Sequence, residues 1–153
     1  MTTVETISLL LGSGVTWAMA GVAWLVQGLI YPQFRRVDAA NWVAYHAAHT
    51  RAMGLVVGPL MVLELVTAAH WTALWLMGGA LPGWLALGAL GLTAATWALT
   101  FGWAVPLHHR LAQEYRDDWV WGLLINNGWR TALWTGKAGL VGVGLWCGQT
   151  ALG

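Results

Sequence analysis

Residues 83–105 read GWLALGALGLTAATWALTFGWAV. No side chain in this run ionises. A bilayer's hydrocarbon core takes roughly 20 apolar residues in a helix. The run shows no strand-like alternation, and a helix is the element that satisfies its own backbone in hydrocarbon. Three comparable runs surround it. Residues 7–31 are uncharged, 54–78 are interrupted by Glu64 and His70, and 131–152 by Lys137. Gly78, Gly79, Pro82 and Gly83 leave only a short turn between the second and third runs, so these two form an antiparallel hairpin. The expected fold is an all-α integral membrane four-helix bundle in a single transmembrane domain over 1–153. It is built as two similar helical hairpins, about 1–78 and 83–153, with additional short interfacial helices.

The chain holds seven basic and six acidic side chains in 153 residues, and most lie in two connections, 32–53 and 106–130. Arg35, Arg36, Arg51, Arg110, Arg116 and Arg130 fall on the side of these connections, and only Glu5 falls opposite. The positive-inside rule places both connections in the cytoplasm and both termini outside, in a bacterial inner membrane. Ala18-Met19-Ala20 has the form of a cleavage site. However, no basic segment precedes it and the apolar run continues past it, so the first span is expected to be retained. A net charge of +1, with no basic stripe and no glycine-rich phosphate loop, gives no sign of a nucleic-acid partner. Cys147 stands alone, which excludes an intramolecular disulfide and a multi-cysteine metal cluster. The expected partners are the bilayer and a lipophilic small molecule; a homo-oligomer stays open.

Gly14, Gly21 and Gly28 recur every seven residues, and Gly136, Gly139, Gly142, Gly144 and Gly148 line the last run. Both sets are expected to be smooth faces for close helix contact. Of the 13 tryptophans, Trp42, Trp119 and Trp121 suit an interfacial belt. Trp24, Trp97 and Trp134 fall within runs, as packing or as the walls of a pocket for a flat ligand. The halves echo one another. Pro32 is followed by Arg36 and Pro106 by Arg110; Trp42 precedes Arg51 by the same interval as Trp121 precedes Arg130. Such repeats often place a site at their interface. Stretches 38–50 and 117–130 have helical spacing and either stand alone or run on into the following spans.

Polar side chains gather at the cytoplasmic level. Gln27 and Tyr31 share one helix face, as do His46 and His49; His108 follows Pro106, and Asn127 sits beside Arg130. Imidazoles at this spacing can converge on one ion, so His46, His49 and His108 are candidate ligands of a transition metal (iron or copper) or of haem. The alternative is that they bond to water, headgroups or backbone. His109, next to His108, is expected to point elsewhere. Glu64 lies deep in its span, where an unpaired charge is costly. It is expected to face the bundle and to pair with Lys137, or to act as a proton carrier, ligand or base.

Val105-Pro106-Leu107 closes the third run, Asn126 or Asn127 is followed by Arg130-Thr131 at the fourth, and Tyr31-Pro32 ends the first. In these features the chain resembles the anthrone oxygenase-like family of small four-span membrane proteins. The family pattern has asparagine where His108 stands. The half with Tyr45, His46, His49, Arg51, Pro59 and Glu64 is similar to a bacterial branch of unknown activity. The resemblance implies oxidation of a polycyclic, quinone- or polyphenol-like molecule with dioxygen. On that reading Glu64, His49 and Arg130 are catalytic candidates, and Gln27, Tyr31, Arg51 and Asn127 orient the substrate. The competing reading is a non-enzymatic carrier, sensor or metal- or haem-binding protein.

Overall fold

The computed structural model describes residues 2–150. Four long helices make up nearly all of it: α1 Thr3–Phe34, α2 Ala39–Leu76, α3 Gly83–Leu111 and α4 Asp117–Thr150. The first three are long and apolar enough to cross a membrane. The fourth is long enough but more polar, with Asn126, Asn127, Arg130 and Lys137 along it. Ala151 and Leu152 of the expected fourth span, and the packing of Gly148, lie outside the described residues. The stretches expected as connecting helices are continuous with the helices that follow, since Trp42–Leu76 and Asp117–Thr150 are each unbroken.

Local chemistry sets the ends. Thr2 and Glu5 form a reciprocal cap at the start of α1, with Thr2 N donating to Glu5 Oε2 at 2.7 Å. The other oxygen, Oε1, accepts from Ala80 N at 2.8 Å. One carboxylate thereby fastens the first turn of α1 to the α2–α3 turn. That turn closes because Gly78 adopts φ +80°, which lets Gly79 N donate back to Leu74 O at 2.9 Å.

Two helices carry the same local departure. α1 widens to a π-turn at Val26–Ile30, where Tyr31 N donates to Val26 O. α3 does so at Thr100–Ala104, where Val105 N donates to Thr100 O. Each π-turn runs into a proline, Pro32 or Pro106. Proline has no N–H to continue the ladder, and the wider turn rotates the residues that follow.

α1 and α3 each pack against both α2 and α4, which gives a square arrangement. Its core is mostly apolar, but it also encloses charged and hydroxyl side chains while large apolar ones face outward. Thr16, Glu64, Thr93, Thr96 and Lys137 are fully buried, while Leu11, Trp17, Leu55, Val66 and Trp129 face outward.

The glycines differ from their expected role. Gly14, Gly21 and Gly28 have no neighbouring side chain or helix within 4 Å of an added Cβ, and neither do Gly136, Gly139 and Gly142. They lie at or near the outer surface of the bundle. The close approaches occur at Gly12, where a Cβ would stand 2.3 Å from Trp71 Cζ2, and at Gly144 against Leu85. Sequence periodicity picked out a stripe but not which face it lies on. Gly12→Val should therefore destabilise the α1–α2 contact by about 1–3 kcal/mol, as overpacking does, and lower the melting temperature in detergent. Gly14→Val should leave that temperature unchanged.

Candidate functional site

The π-turns and prolines deliver Tyr31 and His108 to one cavity of about 420 Å³ between α1, α2, α3 and α4. Of the expected site residues, Tyr31, His46, His49, His108, Asn127 and Arg130 line it. The remaining wall is apolar, with Val22, Val26, Val57, Phe101 and Ala104 alongside Met19, Met53 and Met61. This is the size and character of a small-molecule site, mostly apolar with a few polar groups. Its rim includes Gly54, Phe101, His109 and Ala112, all exposed.

Three side chains form a hydrogen-bonded line. Tyr31 Oη meets His108 Nε2 at 3.0 Å, and His108 Nδ1 meets His46 Nε2 at 3.1 Å. A neutral imidazole has one donor and one acceptor nitrogen. The line therefore has two proton registers, one with Tyr31 donating into it and one with His46 donating. His46 Nδ1, at the far end, is buried without a partner. Behind the line, Trp42 tilts against His46 at 5.2 Å and donates its indole N–H to Leu111 O at 2.6 Å. The His49 side chain makes no hydrogen bond among the described residues. It packs face to face with His108 at 6.2 Å, and its ring meets Phe34 edge-on at 4.7 Å.

Arg130 supplies the charge. It is 9% exposed and lines the cavity, its Nε has no partner, and it joins no ion pair among the described residues. No carboxylate lies among the cavity-lining residues. A buried guanidinium without a counter-charge calls for an anionic or strongly accepting oxygen on whatever enters.

Asn127 is committed on its amide side. Its Nδ2 donates to Ala23 O at 3.1 Å and to Gln27 Oε1 at 2.9 Å. Gln27 therefore stands behind Asn127 and does not line the cavity. Asn126 turns the other way and donates to Leu99 O at 3.0 Å.

Three expectations are corrected by placement. Arg51 is exposed and borders a shallow outer depression with Ala47, Ala48 and Leu55. Helical rotation sets it roughly 200° from His49, on the far face of α2. Glu64 does not line the cavity; it is fully buried in an ion pair with Lys137, which also donates to Thr93 Oγ1 at 2.8 Å. His46, His49 and His108 do come together, but the facing nitrogens of His46 and His108 are bonded to each other. Among the described residues no three His, Cys, Asp or Glu are placed to hold a metal ion. With those two nitrogens bonded to each other, the donor set does not fit a metal ion.

The tryptophans also differ. Trp42 is fully buried; of the two readings for the tryptophans within the runs, Trp97 and Trp134 follow the packing one, and neither they nor Trp24 wall the cavity. His109, expected to point elsewhere, sits at the rim, and Thr50 and Thr100 line the cavity unforeseen. No protein-family model, curated protein or solved structure matches the chain.

The pair of Glu64 and Lys137 yields a stability prediction. Glu64→Gln leaves a buried lysine unpaired and should cost about 3–5 kcal/mol. Adding Lys137→Met should recover most of that loss, as measured by thermal unfolding in detergent. Additive losses in the double variant would show that the two side chains are not coupled.

Proposed function

We propose that this chain is a four-span protein of the bacterial inner membrane. In this reading it binds a flat, lipophilic molecule bearing phenol, enol or ketone oxygens, and oxidises it. The observation that carries the reading is Arg130, a buried guanidinium without a counter-charge among the described residues, in a largely apolar cavity that the His49 imidazole also lines. The resemblance to anthrone oxygenase-like proteins supports the same chemistry.

The residues suggest a route. His49 accepts a proton from the ring carbon of an anthrone-like ketone, as a general base. Arg130 stabilises the enolate oxygen that develops. The enolate then reacts with dioxygen, and the balance is anthrone plus dioxygen giving anthraquinone plus water. The line Tyr31–His108–His46 moves protons by switching register. Asn127, held by Gln27, shapes the end of the cavity nearest α1. A binding protein or carrier without turnover is the second reading. It is favoured by the open rim at Gly54 and Phe101, which gives a bound molecule a way out.

Oxygen uptake with anthrone, together with tryptophan-fluorescence titration with a hydroxyanthraquinone, tests both readings. Arg130→Met should weaken binding about 10- to 100-fold, the worth of a charge-assisted hydrogen bond, and abolish uptake. His49→Ala should abolish uptake while binding persists. Tight binding without uptake in the unaltered protein selects the carrier, and unchanged binding by Arg130→Met rejects the site.

The proposed layout pairs α1 with α2 and α3 with α4 as two hairpins, with both termini outside. The matching π-turns before Pro32 and Pro106 support it. Cysteines introduced at Gln33 and Gln113 should react with a thiol reagent only from the cytoplasmic side. Reaction of both from the outer face would reverse the orientation.

A further inference from the structure

On the Glu64 side of the cavity, every helix carries a polar atom that is buried without a hydrogen-bond partner among the described residues. They are Thr16 Oγ1 on α1, Glu64 Oε1 on α2, Trp97 Nε1 on α3 and Trp134 Nε1 on α4. Each lies about one helical turn from a cavity-lining residue: Thr16 from Met19, Glu64 from Met61, Trp97 from Thr100 and Trp134 from Arg130. The four therefore form the next layer beneath the cavity. Met19, Met61 and Trp134 belong to one packed cluster, with Trp97 against it. Lys137 Nζ lies 5.5 Å from the Trp134 ring and bonds Thr93, one turn from Trp97.

Thr16 is an exception among the helical threonines. Thr67, Thr72, Thr93, Thr100, Thr131 and Thr135 each donate to a carbonyl one turn back on their own helix. Thr16 does not, although it is fully buried. The unmatched set comprises two indole N–H donors, one carboxylate oxygen that only accepts, and one hydroxyl that does both. Direct pairing does not satisfy them, and a group left unsatisfied at bilayer depth is costly. Water accepts from donors and donates to acceptors, and a buried water takes two to four polar partners.

We propose that this layer is a water-binding site. Water there accepts from Trp97 and Trp134, donates to Glu64 Oε1, and connects the Glu64–Lys137 pair to the cavity for proton exchange. The route passes the flexible thioethers of Met19 and Met61, which move without opening the bundle. The site stands on its own partners and does not depend on what the cavity binds.

Indole hydrogen exchange tests it. The protein, labelled with ¹⁵N-tryptophan in lipid nanodiscs, is moved into D2O and followed by NMR. Trp42, buried and bonded to Leu111 O, is the internal control. The Trp97 and Trp134 indole protons should exchange at least about tenfold faster than that of Trp42, because local water rather than global opening sets their rate. Exchange as slow as that of Trp42 would overturn the water site. Met61→Phe, or Met19→Phe from the α1 side, should slow Trp97 and Trp134 and leave Trp42 unchanged. Fast exchange that persists in both variants would overturn the route through the cavity.

Discussion

Two adjacent asparagines reach in opposite directions from α4. Asn127 donates to Ala23 O on α1, and Asn126 to Leu99 O on α3. Both acceptors lie beside π-turns, where the regular helix ladder is disturbed. In a low-dielectric interior a backbone carbonyl cannot be left without a donor. Ala23 O also accepts from Val26 N and Thr131 Oγ1, so the asparagines add to the pairing at these turns and hold α4 between α1 and α3. Tyr31 follows one π-turn, and His108 lies just beyond the other. The asparagine contacts thus sit beside the two turns that bring Tyr31 and His108 to the cavity.

Two kinds of polar interior follow along the bundle axis. At one level the groups face a cavity: Arg130 has no counter-charge and His49 no bond. A turn or two deeper, Glu64 and Lys137 neutralise each other and Thr93 completes the lysine's shell. The charge at the first level is uncompensated, whereas the two at the second level cancel. The same residue types thus do different work according to whether a partner is already present.

The long helices are legible from the charge gaps alone, because hydrocarbon length and absence of ionisable groups are properties of the local chain. The facing of Glu64 and Lys137 is legible too, since two deep opposite charges have few other solutions. What periodicity did not reveal was rotation. A π-turn adds a residue to one helical turn, and nothing in the sequence beyond Pro32 and Pro106 signals it. Gly144 does meet Leu85 as expected, but the other described glycines of the two stripes face outward, because a repeat identifies a stripe and only tertiary packing says whether it faces a neighbour. Arg51 was expected to orient the substrate, while its angle around α2 turns it outward. The mutual bond of His46 and His108 depends on an approach between α2 and α3 that neither helix encodes by itself.

The exposed rim of the cavity includes Gly54 and Phe101, on helices apolar enough to cross a membrane. On the proposed reading, a molecule entering there comes from the hydrocarbon phase of a membrane. Occupancy then follows the mole fraction of that molecule among lipids, not its molarity in the aqueous buffer. Adding empty vesicles or detergent micelles at constant total ligand dilutes that surface and empties the cavity, so an affinity for such a molecule has meaning only beside the amount of lipid present.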